Sequence, residues 1–304
     1  MNAKRAVTLD APAKLNLFLD VTRRRPDGYH DLATIFAKIS LHDTVSVSIS
    51  ARPVVSLRIK NLSGCPLSAG EDNLACRAAR LFLREFGLSR GVSISLVKRI
   101  PIGAGLGGGS SDAAAVLRAM AALFPGRASG SAGSKKLLKL ALALGSDVPF
   151  FMQDGAFCTG RGRGEKLSPF SARGPLPHIL LAYPGAPVST AKAYAALDMT
   201  KKRLTVGQNL NRLQRKLQQG VSVLGWGHLL YNRLEDAVLP RYPKVRALVQ
   251  RLRKAGDFPV LMSGSGSCVF ALIPQHKTAV ALSGRLRNRN LAVFVVKFLG
   301  LGEQ

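Results

Sequence analysis

Acidic side chains are scarce in this chain. Of 304 residues only 17 are Asp or Glu, against 44 Lys or Arg, giving a formal net charge of +27 and a sequence pI near 11.0. Such an excess suits polyanions: nucleic acid, an anionic membrane surface or phosphate-rich small molecules. The charge forms no block, however. Residues 1–174 carry net +13 and residues 175–304 net +14, and the densest groups, 23–25, 201–203 and 246–254, are short. A basic tail for nucleic acid is a long run of like charge. Aromatic residues are also few, 6% of the chain with a single Trp, and no strand interleaves glycine with aromatic rings as RNA-binding sheets do. A nucleic-acid-binding protein is thus suggested by charge alone, and no specific nucleic acid is expected.

Cysteine is sparse as well. Cys65, Cys76, Cys158 and Cys268 lie far apart, with no spacing that suggests zinc. The first residues lack the apolar core of a secretory signal, and no apolar run reaches the 18 residues of a membrane span. A reducing cytoplasm and no membrane are the expectation. What the chain has is 47% hydrophobic residues, enough for a core, which excludes general disorder. Its length suits one large domain or two modest ones.

The order of elements reads as α+β in two halves. Residues 7–9 and 15–19 are apolar-rich, residues 44–49 alternate strictly, as a half-buried strand does, and residues 54–60 and 92–97 repeat that alternation. Glu71, Asp72 and Asn73 precede a helical spacing of Leu74, Ala78, Leu81 and Phe82, placing acids at the positive end of a helix. Residues 126–134 have the composition of a flexible insert. Residues 160–177, rich in Gly, Pro and Arg, mark a boundary between domains 1–174 and 175–304. Helices are expected near 190–197, 207–218, 229–238, 243–255 and 276–287. Strands are expected at 178–183, 259–262, 268–273 and 291–297.

The most informative segment is Pro101, Ile102, Gly103, Ala104, Gly105, Leu106, Gly107, Gly108, Gly109, Ser110, Ser111. It follows a strand and opens the Ala-rich helix 113–124. Glycine lets backbone reach positive φ and approach a ligand closely. The free N–H groups of a helix start favour phosphate, and the two serines add hydroxyls. No Gly-Lys-Ser/Thr is present, so the P-loop pattern fails. Gly103-x-Gly105-x-x-Gly108 matches a dinucleotide fingerprint by letter, but no acid lies between Asp112 and Asp147 to bind a ribose.

Phosphoryl transfer needs positioning, charge neutralisation and an acceptor for the hydroxyl proton. Asp147 stands in a turn before Val148, Pro149, Phe150 and Phe151, where partial desolvation and a nearby cation suit a base. Lys14, alone between apolar runs, is a candidate for that cation. The plainer alternatives are a turn cap for Asp147 and a snorkelling strand-edge Lys14. Tyr29 and His30 lie in an Asp-Gly-Tyr-His turn; a ring can stack on a base and an imidazole can bond its edge.

The glycine run resembles the phosphate loop of the GHMP kinases (galactokinase, homoserine, mevalonate and phosphomevalonate kinases). Residues 11–17 with 25–30, residues 145–151 and residues 262–266 also resemble segments of that family, and most closely its branch acting on a cytidine diphosphate derivative. The resemblance runs from about residue 11 to 273. It implies a two-lobed α+β fold with the active site in the interlobe cleft, ATP and Mg²⁺ as cofactors, and a small-molecule alcohol as acceptor. It implies Asp147 as the base paired with Lys14, and residues 101–111 as the phosphate site with Asn73 near the adenine nucleoside. It implies Asn16, Tyr29, His30, Thr190 and Tyr194 on the substrate side, Tyr29 and Tyr194 stacking on cytosine. Asn73 also reads as a helix cap. No metal ligand is assigned; Ser110 and Ser111 are the candidates. A sister kinase for homoserine or a mevalonate derivative is the alternative within the family.

Overall fold

The computed structural model describes residues 6–64, 72–200 and 206–300; Cys65, Glu71 and the basic run 201–203 lie outside the described residues. Two compact units divide the chain. The first takes residues 1–13, 41–102 and 107–154, the second residues 14–40, 103–106 and 155–304. No single cut near 174 separates them. The reason is two long strands, β1 (Ala6–Arg24) and β2 (His30–Ser50), each of which runs through both units. The segments 7–9 and 15–19 are parts of β1.

The first unit adds β3 (Val55–Asn61), α1 (Leu74–Glu85), β4 (Gly91–Lys98), α2 (Gly108–Leu123), α3 (Pro125–Ala128), α4 (Gly130–Leu144) and α5 (Val148–Met152). β2 pairs antiparallel with β4 from Thr44↔Val97 to Ser50↔Gly91, and β3 pairs parallel with β4. The alternation in β2 puts Val45 and Val47 in the core while Thr44 and Ser46 stay partly exposed. Each such fully buried valine contributes about 2 kcal/mol of transfer free energy. α2 packs against α1, α4 and α5, and small Ala side chains let them approach. Residues 126–134 are not a flexible insert but carry α3 and the start of α4. Gly133 explains the difference: a Cβ there would lie 2.3 Å from the Ala128 carbonyl oxygen. The small residues that read as a linker permit a tight helix corner.

The second unit adds β5 (Phe157–Gly162), β6 (Lys166–Phe170), β7 (His178–Tyr183), α6 (Thr190–Ala195), α7 (Val206–Gln218), α8 (Val223–Trp226), β8 (Tyr231–Asn232), α9 (Glu235–Arg241), α10 (Pro243–Lys254), β9 (Val260–Met262), β10 (Val269–Ile273), α11 (His276–Leu286) and β11 (Ala292–Val296). An antiparallel sheet of order β11-β7-β10-β9 forms its centre. Leu180, Ala182, Val269 and Ala271 of that sheet pack with Val245, Leu248, Val249 and Leu252 of α10. Residues 160–177 are not a linker. β5 and β6 form a hairpin, and β5 pairs with β2 from Leu32↔Gly162 to Ala37↔Phe157. A Cβ on Gly160 would stand 2.8 Å from the Phe36 ring, so glycine there serves strand packing. Residues 229–238 are also not one helix. Tyr231 and Asn232 pair parallel with Phe18 and Leu19 of β1 before α9 begins. Among the described residues no helix is long and apolar enough to cross a membrane.

Candidate active site

The glycine run takes three positive φ angles, +64° at Gly103, +75° at Gly105 and +71° at Gly107. A side chain at such angles is strained. Residues 103–106 belong to the second unit and are anchored there. Gly103 and Ala104 accept from the backbone N–H groups of Val188 and Cys268 at 3.1 Å each, and Leu106 accepts from Lys14 N–H at 2.9 Å. A Cβ on Gly105 would lie 2.0 Å from the Ser263 carbonyl oxygen. Pro101 and Ile102 precede this stretch in the first unit.

Gly107 caps α2 in the first unit, and residues 108–111 form its first turn. The helix therefore begins at the glycines, earlier than residue 113. Its opening N–H groups have no partners within the helix, the arrangement that takes an anion. Beneath this turn lies an ionic cluster that sequence reading missed. Lys98 is buried and donates to Asp43 and, at 2.7 Å, to Asp112. Asp43 also accepts from the backbone N–H groups of Arg99 and Ile100. The missing Cβ of Gly108 would be 3.3 Å from Lys98 Nζ. Two carboxylates thus share one ammonium. Asp43 is fully supplied with donors, whereas Asp112 Oδ1 has no partner. Burial raises the Asp112 carboxyl to about 7, opposed by Lys98 and reinforced by Asp43. The hydroxyl of Ser111, one residue earlier, is also buried without a partner.

Asn73 caps α1: its Oδ1 accepts from Ala75 N–H at 3.0 Å. Asp147 occupies the turn between α4 and α5, half-buried, ahead of four buried residues, and its side chain makes no capping bond to α5.

In the second unit Lys14 is buried rather than snorkelling at an edge. Its Nζ donates to Asn16 Oδ1 at 2.5 Å, Asn16 Nδ2 donates to Thr34 Oγ1 at 2.8 Å, and Thr34 donates to the Phe18 carbonyl at 2.6 Å. The loop of residues 263–266 closes over this chain. A Cβ on Gly264 (φ +54°) would stand 3.2 Å from Lys14 Nζ and 3.3 Å from Asn16 Oδ1. Asn232 and Glu235 hold the loop's approach. Asn232 Nδ2 donates to the Met262 and Gly264 carbonyls at 2.7 and 2.8 Å, and Glu235 Oε1 accepts from Met262 N–H at 2.8 Å. Sequence reading named neither. Thr190 and Ser265 hydroxyls meet at 2.9 Å, which joins Thr190 to the same loop.

The aromatic candidates also gather in the second unit. The His30 and Tyr194 rings lie 5.2 Å apart, next to a half-exposed Tyr29. Burial and the Arg24 charge lower the His30 pKa, so the imidazole is neutral at pH 7 and can both donate and accept. Arg25 and Asp27 form the turn: Arg25 N–H donates to Tyr29 O at 2.8 Å, and Asp27 accepts from Tyr29 N–H at 3.1 Å. Lys14 and Asp147 belong to different units.

Residues 73–155 match the model of the GHMP kinases N terminal domain, and residues 205–292 that of the GHMP kinases C terminal. A protein of Anaeromyxobacter dehalogenans (strain 2CP-C) named 4-diphosphocytidyl-2-C-methyl-D-erythritol kinase is 42% identical over 301 residues, covering 96% of this chain and 90% of its own. The chain belongs to this kinase family. The kinase is an ATP-dependent phosphotransferase with the GHMP fold. A crystal structure of 4-(cytidine 5'-diphospho)-2C-methyl-D-erythritol kinase superposes with a TM-score of 0.75 at 36% identity, over 96% of the kinase and 99% of that chain. A homoserine kinase structure from Cytophaga hutchinsonii reaches 0.74 at 18% identity, over 99% and 98% of the two chains, and shows the fold alone.

Proposed function

We propose that the kinase transfers the γ-phosphoryl group of ATP to the 2-hydroxyl of 4-diphosphocytidyl-2-C-methyl-D-erythritol, a step of non-mevalonate isoprenoid precursor synthesis in the cytoplasm. The observation that carries this choice of acceptor is the Tyr29, His30 and Tyr194 group. Its rings and its neutral imidazole suit a pyrimidine base, which homoserine and mevalonate lack. The names of relatives 42% and 36% identical support the same choice.

The residues take the following roles. Residues 101–111 hold the ATP phosphates through backbone N–H groups, and Asn73 lies at the adenine nucleoside. Tyr29 and Tyr194 stack on cytosine, and His30 bonds its edge. Asn16 and Thr190 orient the sugar alcohol. Asp147 accepts the hydroxyl proton, the hydroxyl oxygen bonds to the γ-phosphorus in line, and ADP leaves. Lys14, held by Asn16, eases the charge that builds up at the transferred group. In this reading the first unit carries Asn73, Asp147 and the start of α2, and the second unit carries Asn16, Tyr29, His30, Thr190 and Tyr194.

Mg²⁺, when bound, would supply charge neutralisation at the transferred phosphates. Among the described residues no group of three His, Cys, Asp or Glu could hold a metal. The buried Ser111 hydroxyl at the α2 start, which has no partner, is the protein oxygen that would approach the ion.

ADP release tests the assignment, with the cytidine substrate, homoserine and mevalonate offered in turn. Turnover on the first alone is expected. Absence of turnover on it would sink the reading, and turnover on homoserine would favour the sister kinase.

A further inference from the structure

We propose that Arg163 is a positioning residue for the nucleotide end of the substrate: its guanidinium covers one face of Tyr29 and so presents the other face to the base. The inference rests on the reading of Tyr29 as a stacking ring, and it deepens that reading.

Arg163 sits at the tip of the β5–β6 hairpin, between Gly162 at φ +69° and Gly164 at φ +104°. Its N–H donates to the Glu165 carboxylate at 2.5 Å, and Gly164 N–H donates to the Arg161 carbonyl at 3.1 Å. The tip is thus a defined turn. Pairing of β5 with β2 at Leu32↔Gly162 brings it beside the turn that carries Tyr29. The Arg163 guanidinium carbon lies 4.7 Å from the Tyr29 ring centroid, within the range of a cation–π contact. Arg163 also helps Arg25 hold the Asp27 carboxyl below its usual range, so one cation braces both the ring and the turn. Tyr29 is 52% exposed, and an unbraced ring at such exposure must be ordered on binding. Ordering it beforehand lowers that cost.

The test is binding of CDP to the full chain by calorimetry, together with KM for the cytidine substrate. R163A is expected to weaken CDP binding and raise KM about twofold to fivefold. R163K should recover part of the loss, since it keeps a cation without the planar fork. Saturated kcat, KM for ATP and the melting temperature should not move. In a Y29L background R163A should change KM little, because Arg163 acts through the ring. Equal or tighter CDP binding by R163A overturns the inference, as does R163K no better than R163A. The same loss in the Y29L background overturns it too, because Arg163 would then touch the ligand itself. CDP that fails to bind the wild-type chain removes the reading beneath the inference. CDP that binds wild type and R163A alike overturns the inference alone.

Discussion

At the start of α2 the material of the site is backbone. Three glycines at positive φ and a helix turn of Gly108, Gly109, Ser110 and Ser111 offer N–H groups, and the charges of Lys98, Asp43 and Asp112 lie buried beneath. At the Tyr29 turn the material is side chains, with Arg25 and Asp31 paired at 3.1 Å, Arg163 on the ring, and His30 against Tyr194. Phosphate, the ligand proposed at α2, is common to every kinase of this fold, and a fixed backbone serves it. The base proposed at Tyr29 differs between substrates, and side chains such as the half-exposed Tyr29 can be exchanged at less cost than backbone. The contrast therefore separates a backbone region suited to a generic ligand from a side-chain region suited to a specific one.

The largest effect lies in neither region but at Asp147. D147N is expected to lose about a thousandfold in kcat, the scale of a general base, with its fold retained, since the change is isosteric and the side chain is not the cap of α5. Steady-state kinetics beside a thermal melt reads both, and near-normal turnover removes Asp147 as the base. Glycine substitutions sharpen the contrast directly. At Gly105 a Cβ meets backbone at 2.0 Å and φ is +75°, whereas at Gly28, in the Tyr29 turn, φ is +82° but nothing lies within 4 Å. G105A should cost about 3 kcal/mol in chemical denaturation and G28A about 1 kcal/mol; equal costs break the comparison. The last effect concerns pH. Asp112 keeps its proton to about 7 in the fold but loses it near 4 when unfolded, as an ordinary Asp does at about 3.9. Its contribution to stability is therefore present below about pH 4 and is lost as pH rises through about 7. D112N should flatten that stretch of the stability curve, and an unchanged slope contradicts the cluster's assignment.

Much of this was legible in the sequence because it is local. Alternation in 44–49, the glycines at 103, 105 and 107, and Asp147 before an apolar run are each set by near neighbours, and the elements formed there. What was illegible depends on distant partners. Gly133 and Gly160 read as linker residues, yet they serve contacts with Ala128 and Phe36. The short β8 exists only because β1 offers Phe18 and Leu19. Asp43, Lys98 and Asp112 come from two strands and a helix, and Arg163 comes from a hairpin remote in sequence from Tyr29. No spacing signal links them. The +27 charge has no structural explanation beyond the few cations named.

In the proposed reaction phosphate arrives on the 2-hydroxyl of the cytidine substrate. That hydroxyl is tertiary, so its carbon carries no hydrogen. A phosphorus NMR spectrum of the product tests the claim most directly. The account predicts one new monoester signal without three-bond proton splitting, formed in step with ADP. A split monoester signal, or ADP formed without any new ester, would contradict it.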